Sequence, residues 1–357
     1  MGGNALSCTS VRLTKKNYER LVGDCLSKLR SRFPSGRFEA IESFRSKADF
    51  GDADLVCWAP NYDPHALAAA LGAVEVVRNG PVTSIGLIVR PEVPHIAGNM
   101  FQVDLIKSTP EEFDFSCRYF KANDAGNLAG RLAKSMETSL RHDGLFFVVR
   151  EGDYKFKDLL LTRDYDKALA YIGLDATVFN AGFETLTDIF EFIVSSPYFR
   201  ADIFLLENRN AASRVRDRKR PTYRAFLKYC EEHPELPNFK APADASTWLT
   251  RIAEHFPHFR AEYDQALAEM AELRAVKEKF NGDWVSRLTG LQGKGLGALM
   301  KRFKESFESA EAQRAFVLSS SEEDLKARVA ALFDELELEK LYAPKVPERV
   351  VVGAARP

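Results

Sequence analysis

Cysteine pairs at redox or metal spacing are missing from this chain, and that narrows its chemistry. The five cysteines (Cys8, Cys25, Cys57, Cys117, Cys230) are odd in number, widely spread, and form no C-x-x-C. Free thiols in a reducing cytoplasm are expected, with neither a disulfide frame nor structural zinc. A long apolar run is missing too, so no membrane span is expected. The first residues also lack the basic-then-apolar pattern of a signal peptide. Net charge is nearly absent, since 50 Lys and Arg against 51 Asp and Glu leave −1. The chain is therefore not a general polyanion binder, and any nucleic-acid contact must come from a local basic patch. His255 and His258 stand three apart on a helix without an acid pair and are read as packing or surface residues. No local Ser-His-Asp arrangement occurs. What remains is ordinary globular composition, 45% hydrophobic and 28% charged over 357 residues, long enough for two or three domains.

Hydrophobic periodicity organises the first third. Tyr18, Leu21, Val22, Cys25, Leu26, Leu29 and Phe33 follow three-four spacing and predict a helix over 15–33. Pro34-Ser35-Gly36 ends it. A strand is expected over 38–41, a helix over 64–78, and strands over 83–89 and 100–106. These make a small mixed sheet backed by two helices, an α+β arrangement. Residues 111–200 read as mainly helical with a short strand ending at 148–150. Helices are expected over 164–173 and 185–195, then over 244–280 and 298–342, with Ser320-x-x-Glu323 as a capping box. Gly290-Leu291-Gln292-Gly293-Lys294-Gly295-Leu296-Gly297 is not a phosphate loop, because Gly295 stands where Ser or Thr should bind magnesium. A glycine-bearing helix start is expected there.

Three acids carry the chemistry. In Gly51-Asp52-Ala53-Asp54-Leu55-Val56 the strand alternation turns Asp52 and Asp54 to one face. Like charges side by side become tolerable with a divalent cation between them. Asp104 lies in a second apolar run, Met100 to Ile106, on the face it shares with Gln102. An unpartnered carboxylate there would be costly. If the two strands are neighbours, three carboxylates meet, the minimum equipment for two-metal phosphoryl or nucleotidyl transfer. The preceding turn, Ser43-Phe44-Arg45, brings a hydroxyl and a guanidinium suited to a triphosphate.

At these residues the chain resembles the polymerase-β-type nucleotidyltransferase superfamily, closest to the palm and nucleotide-binding segment of family X DNA polymerases. Glu42-Ser43-Phe44-Arg45-Ser46-Lys47 is similar to their G-S-F-R-R turn before G-D-x-D. Tyr119-Phe120-Lys121-Ala122-Asn123-Asp124-Ala125-Gly126-Asn127, then Arg131, is similar to their Y-F-x-G-S…N…R segment, and His142-Asp143-Gly144-Leu145-Phe146 to a later short strand. The likeness spans residues 15–175. It departs at Glu42, where the family has Gly, at Ser46, which replaces a second Arg, and at Ala122-Asn123, which replaces Gly-Ser. With the palm helix beginning near Thr14, the DNA-gripping domains are expected to be absent and template-directed gap filling is not implied. The middle section also resembles nucleotidyltransferases encoded by bacteriophages, whose compartment would be the host cytoplasm. Residues 293–303 faintly resemble a helix of CCA-adding enzymes.

Composition marks a C-terminal helical domain over 231–345 and a tail over 346–357, and the resemblance implies a palm over 1–115 and a central nucleotide-binding and basic helical region over 116–230. It implies an enzyme that moves a nucleoside monophosphate from an NTP or dNTP to a polynucleotide 3′ end, RNA or tRNA above all. Asp52, Asp54 and Asp104 would be catalytic and hold two Mg²⁺, with Mn²⁺ as a substitute, and Asp104 would lie nearest the attacking oxygen. Ser43 and Arg45, helped by Lys47, would clamp the triphosphate. Tyr119 and Phe120 would meet the sugar, and Asn127 and Arg131 the base. The segment from Arg209 to Lys228 is strongly basic, with Asp217 its single acid, and interleaves Tyr223 and Phe226. Arg214, Arg216, Arg218, Lys219, Arg220 and Arg224 are expected to track phosphates of the acceptor. Nucleotidylation of a small molecule or protein, or an inactive nucleotide- or RNA-binding module marked by Glu42, are the alternatives.

Overall fold

A computed structural model describes residues 5–7, 10–89 and 99–342. Cys8 and the tail expected over 346–357 lie outside them. The chain is α+β, a mixed sheet followed by a largely helical C-terminal half. It divides into two compact units, one up to Tyr263 and one from Asp264 onward. The Pro-rich stretch over 233–242 lies inside the first.

Strand β1 (Leu13–Thr14) leads into helix α1 (Lys15–Arg32), which buries Val22, Cys25 and Leu29 at the predicted spacing. Strands β2 (Arg37–Ala40), β3 (Asp49–Phe50) and β4 (Asp52–Trp58) follow, β3 pairing with β1. Helix α2 (Pro64–Leu71) is capped by the Asp63 carboxylate. It stops well short of 78. Gly72 takes a left-handed conformation (φ 73°) that ends the helix. Residues expected to continue it become strand β5 (Glu75–Asn79), which turns through Gly80 (φ 61°) into β6 (Val82–Ile88). Two adjacent valines and an Asn-Gly turn are the hairpin signal behind this difference. Strand β7 (Met100–Lys107) completes the sheet in the order β2-β4-β7-β6-β5. Only the central pair, β4 with β7, runs parallel. One face, with Ala53, Leu55, Cys57, Phe101, Val103 and Leu105, packs on Leu29 of α1 and Leu67 of α2. On the other, Val56 and Ile106 pack on Phe113 of helix α3 (Phe113–Phe120).

The next section is less helical than its sequence predicts. Helix α4 (Ala125–Ser135) runs into a three-stranded antiparallel sheet of β8 (Thr138–Arg141), β9 (Gly144–Glu151) and β10 (Tyr154–Thr162). Its strands read as one short strand because Leu145, Phe146, Phe147 and Val149 are all buried, so the apolar run does not alternate. Helices α5 (Tyr165–Tyr171), α6 (Ala176–Ala181) and α7 (Leu186–Val194) follow, the last opened by a Thr185–Asp188 capping box. The basic segment forms α8 (Ala211–Lys219) and α9 (Pro221–Glu232), and α10 (Ser246–His255) comes next. Helix α11 (Phe259–Lys279) runs across the division.

In the second unit, α12 (Gly282–Thr289), α13 (Gly293–Glu305), α14 (Ala310–Ser319) and α15 (Glu322–Tyr342) gather around Phe280, Phe303, Val317 and Leu325. The glycine-bearing stretch is a helix start, as predicted. The capping box is Ser321 with Asp324, one residue later than expected, because Ser320 closes α14 instead. His255 Nδ1 meets the Arg251 carbonyl and His258 Nε2 the Leu160 carbonyl. Cys25, Cys57, Cys117 and Cys230 are free thiols. No described helix is long and apolar enough to cross a membrane.

Candidate active site

The parallel pairing of β4 with β7 brings the three acids together. Asp54 stands at the same register as Asp104, and Asp52 at that of Gln102. Paired residues share a face, so all four side chains project from the side opposite the α1–α2 core. Neighbouring strands lie about 4.8 Å apart, which places the carboxylates within strong mutual influence. Burial, and then the charges of Asp104 and Asp52, push the Asp54 carboxyl up to about 7. Burial also raises Asp104, against hydrogen bonds from Ser84 and Gln102 that favour its charged form. The local positive charge is Lys47, whose ammonium is weakened chiefly by burial and supported by Asp52 and Asp54. Its Nζ sits 4.6 Å over the Phe50 ring. Lys47 thus serves the acids as a counter-charge.

Ser43 and Arg45 line a cleft of about 530 Å³, together with Lys15, Tyr18, Lys121 and Gly182. The turn is held from both sides. Arg45 N–H donates to Phe183 O at 2.9 Å and Ser46 N–H to Glu184 O at 2.8 Å. Lys15 Nζ donates to Arg45 O at 2.8 Å. The Arg45 guanidinium, still largely exposed, reaches the Ala181 carbonyl. Ser43 Oγ donates to Asn123 Oδ1. Glu42, standing where the resemblance expects Gly, turns its carboxylate to Lys121 Nζ at 2.8 Å. Its carbonyl takes the Ala122 N–H at 2.8 Å. Ala122 and Asn123, standing for Gly-Ser, are both left-handed (φ 61° and 57°), the conformation glycine adopts most readily. Tyr18 is a residue that sequence reading missed. It stacks on Phe50 with centroids 3.8 Å apart, and Asp54 and Asp52 add to the burial that raises its hydroxyl pKa. A second cleft, lined by Arg200, Cys230 and His233 among others, contains none of the predicted residues.

The nucleotide segment and the basic segment meet each other. Tyr119 and Phe120 make an edge contact at 5.3 Å, and Phe120 stacks on His142 at 5.9 Å. Burial raises the Tyr119 hydroxyl against the opposing pull of Arg216 and Arg220. Arg216 Nη2 donates to Asn127 Oδ1 at 3.3 Å, and Arg220 pairs with Asp124. Asn127 Nδ2 is buried without a hydrogen-bond partner. Arg131 Nε and Nη2 both donate to Ile203 O, so its guanidinium anchors the chain at 203.

The basic segment divides in two. Arg209 and Arg216 both bind the fully buried Asp217, Arg214 Nη2 donates to Arg209 O, and Lys228 pairs with Glu232. Arg218, Lys219 and Arg224 are exposed. The interleaved aromatics are not a stacking platform. Tyr223 and Phe226 are core residues at 0% exposure, Tyr223 O–H donating to Phe204 O at 2.6 Å.

The donor set suits Mg²⁺, which prefers carboxylate oxygens. Three acids at adjacent register positions, with one carboxyl pushed up to about 7 by its neighbours and burial, form a place where a divalent cation relieves repulsion. Among the described residues no group of three or more His, Cys, Asp or Glu side chains stands placed to hold a metal ion. No family model matches the chain, and no curated protein matches it.

Proposed function

We propose that this chain is a metal-dependent nucleotidyltransferase that moves a nucleoside monophosphate from an NTP or dNTP to a polynucleotide 3′ end, RNA or tRNA before DNA. The observation that carries the reading is the register of Asp54 with Asp104 on adjacent parallel strands, with Asp52 on the same face. Asp52, Asp54 and Asp104 would hold Mg²⁺, two ions in all, with Mn²⁺ able to substitute. When bound, Mg²⁺ supplies charge neutralisation on the transferring phosphoryl group and a lowered pKa for the attacking hydroxyl. The cleft, which Tyr18 and Phe50 line but none of the three acids does, offers the Ser43 hydroxyl, the Arg45 guanidinium and Lys15 to the phosphates. Such transfer needs positioning and charge more than covalent help from the protein. Asp104 is the carboxylate assigned to the attacking hydroxyl's proton. Arg218, Lys219 and Arg224 are the cations left to meet the acceptor backbone. Four free thiols suit a reducing cytoplasm.

Use of Arg216 and Arg220 inside the fold leaves a smaller polynucleotide surface than the sequence promises. It favours nucleotidylation of a small molecule or protein as the second reading. One assay separates them. The protein is incubated with Mg²⁺ and each labelled NTP or dNTP against tRNA, single-stranded RNA, primer–template DNA, or no added acceptor. Extension of RNA by the wild type, lost in Asp104→Ala, is expected. Label on the protein itself selects the second reading. A folded wild type that labels nothing in Mg²⁺ overturns the proposal.

A further inference from the structure

Two polar side chains are buried beside Asp104 in largely apolar strands. Gln102 and Ser84 are each 3% exposed. Gln102 lies opposite Asp52 just as Asp104 lies opposite Asp54, so four side chains occupy a two-by-two grid on one sheet face. Three corners carry carboxylates and the fourth an amide. Ser84 faces Asp104 from the strand on the other side.

The orientation of that amide follows from its partners. The Ala5 N–H can only donate, and it reaches Gln102 Oε1 at 2.9 Å. The opposite end, Nε2, therefore meets Asp104 Oδ1, also at 2.9 Å. Gln102 is fixed at its backbone too, its N–H donating to Ser10 Oγ at 2.9 Å. Ser84, at the register of Asp104 on β6, is the second neutral donor that favours the charged form of that carboxyl. Among the described residues, Asp104 alone of the three acids is held by neutral side-chain donors.

We infer that Gln102 and Ser84 are positioning residues that hold the Asp104 carboxylate in one orientation, so that it can share a divalent cation with Asp52 and Asp54. The inference rests on the metal-dependent reading of this site. An amide suits the fourth corner because it donates to one acid without adding a fourth negative charge beside Asp52. Residues that orient a ligand carboxylate typically change metal affinity or activity about 10- to 100-fold when removed.

The test titrates Mn²⁺ into the metal-free full chain by calorimetry. Gln102→Leu and Ser84→Ala are each expected to weaken Mn²⁺ binding about tenfold, with melting temperatures near wild type. Ser84→Thr, which keeps the hydroxyl, restores binding. In the transfer assay kcat falls while the nucleotide KM holds. A folded variant of either residue that lacks the donor yet binds Mn²⁺ as tightly as wild type overturns the inference and leaves the metal reading standing. A folded wild type that takes up no Mn²⁺ overturns both. If Gln102→Leu does not fold, the Ser84→Ala and Ser84→Thr pair decides on the same carboxylate.

Discussion

Asp54 stores the unfavourable electrostatics of this site. Its carboxyl stands at about 7 in the folded chain against an ordinary 3.8. A group whose folded pKa is raised binds its proton more tightly when native. Its contribution is therefore fully present below about pH 4 and is lost as pH rises through about 7. The melting temperature of the metal-free protein is expected to carry a falling component from about pH 4 to about pH 7, which Asp54→Asn removes. Mg²⁺ should raise the melting temperature more at about pH 8 than at about pH 5, because ligand carboxylates must be deprotonated. Thermal melts in chelator and in Mg²⁺ check both. An unchanged pH slope in Asp54→Asn would show that the Asp54 carboxyl is not raised in the folded chain. The three acids were legible as candidates because strand alternation is a local property. Tyr18 and the full bonding of Gln102 were not, since each depends on a partner far away in sequence, Phe50 for the one and Ala5 and Ser10 for the other.

At the scale of elements, α8 shows how a charge run divides between scaffold and surface. Asp217, alone among many cations, reads as an exception in a solvated face, yet it is fully buried and holds Arg209 and Arg216. Removing one partner of such a pair leaves a stranded charge, at a cost of about 3–5 kcal/mol. Arg209→Met leaves Asp217 its second partner, Arg216, and is expected to lower stability by no more than about 3 kcal/mol in urea unfolding. Changing Arg218, Lys219 and Arg224 together to Glu should leave stability nearly unaltered and weaken RNA binding in a gel-shift or anisotropy measurement. Equal RNA affinity in that triple variant would remove the acceptor surface from α8 and α9. Net charge of a window says which residues are cationic but not which are already neutralised. Tyr223 and Phe226 were misread for the same reason. Their spacing suits a stacking stripe and a core stripe equally, and only the contacts with Phe204 and Phe190 decide for the core.

The whole molecule is nearly neutral, at −1, so no long-range field draws a polyanion to it. Acceptor binding through three exposed cations should show a gentle salt dependence. The slope of log affinity against log salt is expected near −2 for a single strand, about 0.7 for each phosphate neutralised. Fluorescence titrations over a range of KCl concentrations measure it, and a slope several times steeper would mean that a larger surface takes part. Local sequence determined the helix of 15–32, the strand bearing Asp52 and Asp54, the strand bearing Asp104 and the glycine-led start of α13. In each, periodicity and helix-ending residues act within a few positions. Tertiary structure decided that residues 138–162 form a sheet. It also decided that β7 lies parallel to β4 with Asp104 beside Asp54 and that Arg131 turns to Ile203. Those outcomes depend on which distant backbone supplies a hydrogen-bond partner and which distant charge a buried group must satisfy, and neither is set by neighbours along the chain.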